Sequence, residues 1–252
     1  MIRIVIPMGG EGRQFAERGY TFPKPLVEIG GAPLIELVVK NLTPAEPHEF
    51  VFICRQEHVQ KFALGDVLRL IAPGCRIVTM GKPTAGALCS VLLGMEHLTH
   101  QDELLVANAD QWLDASVDDF LAWVRLSRLD GALVTFPNTH PRWSYARTEG
   151  DLVVAVAEKQ PISRNATAGI YYFRQGADFV TAAERMLLKN AAVAGEFYVA
   201  PVYNEFVLAG RRVGIFPIDA AQMHGLGTPE EVERFTNRGP GLQPRRLTET
   251  LC

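Results

Sequence analysis

Short apolar segments that alternate with helical patterns constrain the fold of this chain more than any other feature. Several of these segments are continuous apolar runs, which indicates strands buried on both faces, as in a parallel sheet covered by helices. Strands are predicted at Arg3–Met8, Glu49–Cys54, Cys75–Met80, Glu103–Ala107, Ala132–Phe136, Leu152–Ala157, Gly169–Phe173 and Val213–Pro217.

Helical patterns fall between these strands, and the alternation predicts an α/β fold with a Rossmann-like wound, mostly parallel sheet flanked by helices. In such a sheet, ligands bind at the carboxyl ends of the strands. We expect a single domain over residues 1–236 and a flexible polar C-terminal tail over 237–252. The clearest helical patterns are Leu34–Leu42, Ala87–Leu98, Val117–Leu129, Ala177–Asn190 and Val199–Leu208.

Composition excludes some classes of partner. The formal net charge is −3, without the basic excess that attracts nucleic acid. The apolar start, residues 2–8, is too short for a signal peptide or a membrane span, so no membrane association is expected. None of the cysteines forms a C-x-x-C pair, which favours reduced, buried thiols in a cytoplasmic protein. They are Cys54, Cys75, Cys89 and Cys252.

The loop after the first strand is rich in glycine and reads Gly9-Gly10-Glu11-Gly12-Arg13-Gln14-Phe15. Such a turn lets backbone N–H groups approach phosphates closely, although glycines also serve plain tight turns. Its spacing fits neither the dinucleotide fingerprint nor the P-loop. A nicotinamide oxidoreductase is disfavoured further, because the second strand ends in Cys54-Arg55 without an acidic residue to bind the ribose.

A lysine between two prolines follows this loop, in the stretch Phe22-Pro23-Lys24-Pro25-Leu26. The prolines predict an extended, inflexible backbone around Lys24. A lysine held rigidly beside a phosphate loop serves as a point charge for a triphosphate.

The combination of Gly-Gly-x-Gly with Pro-Lys-Pro-Leu resembles the sugar-nucleotidyltransferase (nucleoside-diphosphate-sugar pyrophosphorylase) family, in particular its glucose-1-phosphate thymidylyltransferase-like members. Residues 22–36 are most similar to capsule- and lipopolysaccharide-associated bacterial members, and the similarity extends to about Phe235. The resemblance implies a nucleotide half over about 1–115 and an acceptor half over about 116–236. It also implies transfer of a nucleoside monophosphate from a nucleoside triphosphate to a phosphorylated small molecule, a sugar 1-phosphate above all, with Mg²⁺. The base, the acceptor and the oligomeric state stay open, a homo-oligomer included.

The resemblance assigns roles to the loop. Met8, Gly9, Gly10 and Gly12 are expected to bind the triphosphate, and Lys24 to neutralise charge on the reacting phosphates.

One departure from the family concerns the loop arginine, whose position holds Gln14 while Arg13 stands one place earlier. A neutral amide cannot stabilise departing pyrophosphate as a guanidinium can. Either Arg13 takes the catalytic role beside Lys24 through a shifted loop, or the enzyme is slow.

The base and the metal are assigned to two segments that follow strands. Gly86 and Ala87 open a helix and are expected to contact the base, and Asn108 is expected to contact the nucleotide. The resemblance implies that Asp110, which follows an apolar strand, is the Mg²⁺ ligand, and this role agrees with the preference of magnesium for carboxylate oxygens together with substrate phosphates.

The second family metal aspartate is missing, since Gly225 occupies its position. Asp219 is the preferred substitute, with His224 as an alternative that suits transition metals better. A third interpretation leaves the metal to Asp110, phosphates and water.

The resemblance places the acceptor in the second half of the chain. Glu158 is expected to accept hydroxyls, Lys159 to bind the phosphate, and Gly169 to approach the sugar. Glu196 lines the acceptor pocket or simply begins a helix. Trp143 and Tyr145 either cover the acceptor or pack.

A rival hypothesis is a catalytically weak relative that binds nucleotides or sugar nucleotides as a regulator. It is motivated by Gln14 and Gly225, which replace two functional side chains of the family.

Overall fold

The structure is a computed structural model, and it describes residues 1–98 and 102–237. The expected flexible tail, apart from Asn237, and Cys252 lie outside the described residues. The strands are β1 (Ile2–Met8), β2 (Glu28–Ile29), β3 (Ala32–Pro33), β4 (His48–Arg55), β5 (Arg76–Met80), β6 (Glu103–Ala107), β7 (Gln111–Leu113), β8 (Gly131–Pro137), β9 (Ser144–Glu149), β10 (Leu152–Glu158), β11 (Asn165–Phe173), β12 (Val213–Pro217) and β13 (Met223–Gly225).

Helices connect most of these strands. They are α1 (Arg13–Glu17), α2 (Leu34–Leu42), α3 (Gln56–Phe62), α4 (Leu64–Ile71), α5 (Ala87–Leu92), α6 (Val117–Leu126), α7 (Gly176–Leu188), α8 (Tyr203–Leu208) and α9 (Pro229–Thr236), with short 3₁₀ helices at Lys24–Leu26, Met95–His97, Ala200–Val202 and Ala220–Gln222.

The central sheet is built on β1, which pairs in parallel with β4 on one side and with β6 on the other. Strand β5 continues the parallel part beyond β4. Beyond β6, strand β11 runs antiparallel and pairs with both β8 and β9, while β12 joins β8 in parallel. The predicted fold class, a single wound α/β domain around a mostly parallel sheet, is confirmed, and the antiparallel strands belong to its second half.

Both faces of the sheet are buried, as the continuous apolar runs predict. In β1, the side chains of Ile2, Ile4 and Ile6 enter one core, whereas Val5 enters the core on the opposite face. All four are completely buried. Helices therefore cover the sheet on both sides, and the ends of the strands are where a ligand can approach.

Two predicted helices are shorter than expected because small or cyclic residues interrupt them. The pattern over Ala87–Leu98 is α5 followed, after Gly94, by a 3₁₀ turn. A side chain at Gly94 would press against Ile53, since its Cβ would lie 3.0 Å from Ile53 Cδ1. The pattern over Val199–Leu208 begins as a 3₁₀ turn at Ala200–Val202, which contains Pro201, and continues as α8.

The described cysteines are free thiols. Cys54 is buried, and burial raises its pKa to about 12. Cys75 and Cys89 are only partly buried, and burial is also the main cause that raises the pKa of each. Among the described residues, no helix is long and apolar enough to cross a membrane.

The buried position of β6 generates a prediction about stability. Leu105 is completely buried in β6, while Leu70 in α4 is 80% exposed. Leu105→Ala should lower the free energy of unfolding by about 2–5 kcal/mol, because it leaves a cavity. Leu70→Ala, the matched control, should change it by less than about 0.5 kcal/mol. Urea denaturation measures both, and equal effects would contradict the placement of β6 in the core.

Candidate functional site

A cavity of about 430 Å³ lies at the carboxyl ends of the parallel strands. Its walls come from the loop after β1, the segment after β6, the ends of β9 and β10, and the start of α9. The cavity therefore joins the glycine-rich loop to the second half of the chain. The predicted site residues on its wall are Met8, Gly10, Lys24, Ala87, Asn108, Asp110 and Glu158.

Lys24 and Asp110 form an ion pair inside this cavity, with Lys24 Nζ 2.7 Å from Asp110 Oδ2. Lys24 begins a 3₁₀ turn instead of the expected extended stretch, because Pro25 tolerates the second helical position. The side chain of Lys24 is 20% exposed and that of Asp110 30%. A cation and a carboxylate thus stand together on the wall of the cavity.

Gly12 and Gly9 shape the loop without lining the cavity. Gly12 has a φ of 64°, and a Cβ there would lie 3.3 Å from Lys24 Cβ, so the glycine allows the loop to pass close to the lysine. Gly9 packs against Met80, whose Sδ would lie 2.9 Å from an added Cβ. Their predicted contact with a triphosphate can be made only through the backbone.

The two residues predicted to contact the base, Gly86 and Ala87, take different positions in the structure. Ala87 lines the cavity, whereas Gly86 lies against the backbone of Phe197, whose carbonyl oxygen would lie 2.4 Å from an added Cβ. Gly86 has a φ of 119°. Close packing therefore explains this glycine, and its contact with a base stays a prediction.

The structure does not bring Arg13 to the cavity. Its side chain is 78% exposed, and its Nε pairs with a carboxylate oxygen of Glu11. Arg55 also approaches Glu11, at 3.8 Å. Gln14 is exposed on α1 and does not line the cavity either. A role for Arg13 requires that the guanidinium leave Glu11.

Asp110 faces a second carboxylate, that of Glu231, across Gly227. A Cβ at Gly227 would lie 3.2 Å from Asp110 Oδ2 and 3.4 Å from Glu231 Oε2. Both acidic residues line the cavity. Glu231 Oε1 pairs with Arg142 Nη2 at 2.7 Å, and the Gly227 N–H donates to Glu231 Oε2 at 2.9 Å.

Asp219 does not join Asp110, contrary to the expectation. It is exposed and stands at the start of the 3₁₀ turn at Ala220–Gln222, where its backbone carbonyl accepts the Gln222 N–H at 3.0 Å and its own N–H donates to Gln222 Oε1 at 2.9 Å. The pairing of β13 with β7 places Gly225 opposite Gln111, so Asp219 lies beyond the opposite end of this ribbon. The alternative ligand, His224, packs its ring between Trp112 and Phe235.

The acceptor half contributes a buried carboxylate. Glu158 ends β10 and accepts a hydrogen bond from the Ser144 hydroxyl. Burial raises the pKa of Glu158 above its ordinary value, against the opposing effects of Ser144 and the nearby Lys159. Both Glu158 and Ser144 line the cavity.

Amide side chains surround Gly169 on β11. A Cβ at Gly169 would lie 2.3 Å from Gln111 Oε1 and 2.4 Å from Asn108 Nδ2, and its φ is 72°. Gly169 also accepts the Asn108 backbone N–H through its carbonyl, at 3.0 Å. This glycine makes room for two side chains of the cavity wall, and it does not itself line the cavity.

Gln111 has an unused donor. It is 5% exposed, and its Nε2 has no hydrogen-bond partner within the described part of the chain. Because Gln111 lines the cavity, this donor fits a ligand oxygen there. Thr167 and Tyr171, whose hydroxyls are 3.1 Å apart, continue the same polar wall.

Lys159 and Glu196 reach the cavity through Tyr198. The Lys159 Nζ donates to the Tyr198 hydroxyl at 2.6 Å, and this hydroxyl donates to Glu196. The hydrogen bond with Tyr198 is the main cause that raises the pKa of Lys159. Tyr198 lines the cavity, so the two predicted acceptor residues stand just outside its wall.

Trp143 and Tyr145 take different places. Trp143 lines the cavity with Arg142, whose guanidinium carbon lies 4.3 Å from the centre of the Trp143 ring. Tyr145 is completely buried and donates its hydroxyl to the His140 carbonyl. The first therefore covers the cavity, and the second packs.

Several wall residues were not named as site residues from the sequence. Strand β9 over 144–149 shows no alternation of apolar and polar residues that could have revealed it, and Thr228-Pro229-Glu230-Glu231 is a helix start whose last glutamate also reaches the cavity. The missed residues are Gln111, Arg142, Ser144, Thr167, Tyr171, Tyr198 and Glu231.

Residues 4–163 match the MobA-like NTP transferase domain family. A nucleoside-diphosphate-sugar pyrophosphorylase from Vibrio cholerae RC9 has a similar structure, with a TM-score of 0.81 and 28% identity over 93% of this chain and 99% of that chain. No curated protein sequence matches the chain.

Two more distant structures share the fold. A UDP-glucose pyrophosphorylase complexed with UDP-glucose has a TM-score of 0.75 and 16% identity, over 94% of this chain and 98% of that chain. A UDP-glucose pyrophosphorylase from Acinetobacter baumanii has a TM-score of 0.72 and 15% identity, over 94% and 93%. The resemblance to sugar nucleotidyltransferases is thereby confirmed.

The crowding around Gly169 predicts an unequal response of two glycines. Gly169 and Gly150 both have positive φ, but an added Cβ at Gly150 would meet nothing within 4 Å. Gly150→Ala should cost about 1–2 kcal/mol of unfolding free energy for its backbone alone. Gly169→Ala should cost about 1–3 kcal/mol more, since its methyl group displaces Gln111 and Asn108. Chemical denaturation compares the two, and equal costs would show that the amides do not fill this space.

Proposed function

The chain belongs to the MobA-like NTP transferase domain family, and from this premise we propose that it transfers a nucleoside monophosphate from a nucleoside triphosphate to a phosphorylated small molecule. The acceptor that fits best is a sugar 1-phosphate, which gives a nucleoside-diphosphate sugar and pyrophosphate. The similarity to the Vibrio cholerae pyrophosphorylase supports this choice. The sequence resemblance favours capsule or lipopolysaccharide precursors as the products. The proposed reaction takes its substrates from the cytoplasm.

One observation carries the proposal: a single cavity holds both halves of such a reaction. Gly10 and Lys24 stand on one wall, where a glycine loop and a cation suit phosphates. Glu158 stands on another wall with Ser144, where a carboxylate and a hydroxyl suit the hydroxyl groups of an acceptor. Asp110 stands with Lys24 in the same space.

The residues present fit a magnesium ion. Asp110 offers a carboxylate oxygen to the cavity, and magnesium is bound typically by one or two carboxylates together with substrate phosphates. Magnesium bound there would neutralise charge on the triphosphate. In the described part of the chain, no group of three or more His, Cys, Asp or Glu side chains offers a fuller protein cage.

The chemistry is an in-line attack of an acceptor phosphate oxygen on the α-phosphorus, with pyrophosphate as the leaving group. An anionic phosphate needs no strong general base, so the protein contributes alignment and charge neutralisation. Lys24 supplies a positive charge to the triphosphate. Asn108 and Ala87 line the cavity, and in this proposal they contact the nucleotide.

The acceptor is held by polar groups of the second half. Glu158 accepts its hydroxyls from the wall that it shares with Ser144. Lys159 binds its phosphate from the rim, where its ammonium group donates to the Tyr198 hydroxyl, which in turn donates to Glu196. Gly169 shapes this wall by admitting the two amides described above.

Pyrophosphate release with each nucleoside triphosphate, combined with a panel of phosphorylated acceptors, tests the proposal. The panel contains hexose 1-phosphates, heptose phosphates, alditol phosphates and amino-alcohol phosphates, and mass spectrometry identifies the product. Tight binding of nucleotide or sugar nucleotide without turnover for any pair would contradict the enzyme and favour the regulatory homologue.

Lys24→Ala should lower turnover by about 10²–10³-fold, as loss of a preorganised group that stabilises developing charge does. The melting temperature should change little, because Lys24 is not fully buried. Lys61→Ala, on the exposed side of α3, is the charge-matched control and should retain activity. Pyrophosphate release by Lys24→Ala at a rate near that of the natural protein would remove Lys24 from the mechanism.

The displaced arginine is tested by a pair of substitutions at exposed positions. A triphosphate carries about four negative charges near neutral pH, so a second cation near the leaving group is expected. Arg13→Ala should reduce turnover sharply, whereas Gln14→Ala should reduce it much less. Both side chains are exposed, so neither change should unfold the protein.

The gain-of-function variant Gln14→Arg shows whether the loop brings position 13 or position 14 to the phosphates. If Gln14→Arg raises turnover severalfold while Arg13→Ala has no effect, Arg13 stays with Glu11 and the natural protein is an attenuated enzyme. Steady-state pyrophosphate release measures all three variants.

A further inference from the structure

We propose that Glu231 supplies the second carboxylate of the magnesium site, from the space that a side chain at position 225 would otherwise occupy. The inference rests on the proposed function, because it assigns a residue to the metal of that reaction. Gly225 lies at the end of β13, whereas Glu231 lies on helix α9.

The carboxylate of Glu231 fills the space beside Gly225. A Cβ built on Gly225 would lie 2.8 Å from the carboxyl carbon and from Oε1 of Glu231, and 2.9 Å from Oε2. Gly225 has no positive φ, so its backbone would accept any residue. The absence of a side chain at Gly225 is therefore explained by the carboxylate that stands there.

The carboxylates of Glu231 and Asp110 both lie close to Gly227. The distances from a Cβ at Gly227 place Asp110 Oδ2 and Glu231 Oε2 on two sides of one small residue. The backbone fixes this arrangement, because the Leu226 N–H donates to the Asp110 carbonyl at 2.7 Å. Two carboxylates from separate elements thus converge on one edge of the cavity.

Each of the two carboxylates is neutralised by a cation of the protein. Lys24 pairs with Asp110, and Arg142 pairs with Glu231, both at 2.7 Å. Glu231 is 9% exposed, whereas the side chain of Arg142 is 48% exposed over the Trp143 ring. The acidic partner is held in place and the basic partner lies near the solvent, so Arg142 is the group that a metal would displace.

An independent sign of a ligand is an unpartnered donor on the wall of the same cavity. Gln111 pairs with Gly225 in the β7–β13 ribbon and lines the cavity. Its buried Nε2 finds no acceptor among residues 1–98 and 102–237. A ligand oxygen in this part of the cavity would satisfy that donor.

The competing explanation is that Glu231 only stabilises the start of helix α9 as a cap. The Gly227 N–H donates to Glu231 Oε2, and the Thr228 hydroxyl accepts the Glu231 N–H at 3.2 Å. A cap needs one oxygen acceptor, which glutamine also has, whereas a metal ligand needs the negative charge. Glu231→Gln therefore separates the two roles.

The test measures binding of Mn²⁺, an oxygen-seeking probe for magnesium, to the full chain by electron paramagnetic resonance. Glu231→Gln should weaken Mn²⁺ binding by at least about tenfold, and Asp110→Asn should do the same. Glu230→Gln is the matched control, since Glu230 is exposed and pairs with Arg18, and it should bind Mn²⁺ as the natural protein does. Melting temperatures confirm that each variant is folded.

A rescue makes the test independent of helix capping. Glu231→Ala should lose Mn²⁺ affinity, and Gly225→Asp added to Glu231→Ala should restore most of it, because the carboxylate returns from the other chain segment. Gly225→Asp alone should destabilise the protein, since it meets the Glu231 carboxylate.

Unchanged Mn²⁺ affinity in Glu231→Gln would overturn the inference and leave Glu231 a cap. So would failure of the natural protein to bind Mn²⁺. The proposed function fails separately, when the natural protein binds Mn²⁺ through Glu231 and still transfers no nucleotide to any acceptor of the panel.

Discussion

The parallel pairing of β1 with β6 is the constraint on which the rest of the site depends. It aligns Val5 with Val106, so the chain segments that leave the two strands start at the same edge of the sheet. The glycine-rich loop begins at one of these ends, and Asp110 follows the other. Because both strands are buried on both faces, their ends cannot shift without disturbing the two cores. The Lys24–Asp110 ion pair is a consequence of this alignment.

Charge balance organises the cavity around that edge. Each of its carboxylates near the phosphate side has a cationic partner within the protein, Lys24 for Asp110 and Arg142 for Glu231. Such pairs keep acidic groups from repelling each other across a small space when no ligand is bound. Phosphates and a divalent ion would replace these contacts by new ones of the same kind. Under the proposed function, the cavity would therefore take an anionic ligand and a cation together.

Local patterns were sufficient for the parallel strands and the glycine-rich loop. The continuous apolar runs identified the buried strands, whereas Asp110 and Glu158 were assigned through the family resemblance. The antiparallel strand β9 was missed, although it carries Ser144 into the cavity. The family resemblance, with Gly225 at the position of the second metal aspartate, led to Asp219 as the partner of Asp110, whereas the structure places Asp219 at the start of a short turn.

By itself the sequence determined which residues stand at strand ends, because burial on both faces imposes a local apolar pattern. The prolines that flank Lys24 predicted an extended backbone, whereas the structure has a 3₁₀ turn that begins at Lys24. Only the tertiary structure decided that Glu231 faces Asp110 and that Arg13 turns to Glu11. Those outcomes depend on pairings between distant segments, such as β7 with β13, and on which oxygen a cation reaches first. Neither the pairing of distant segments nor the choice of ion-pair partner produces a periodic pattern in the sequence.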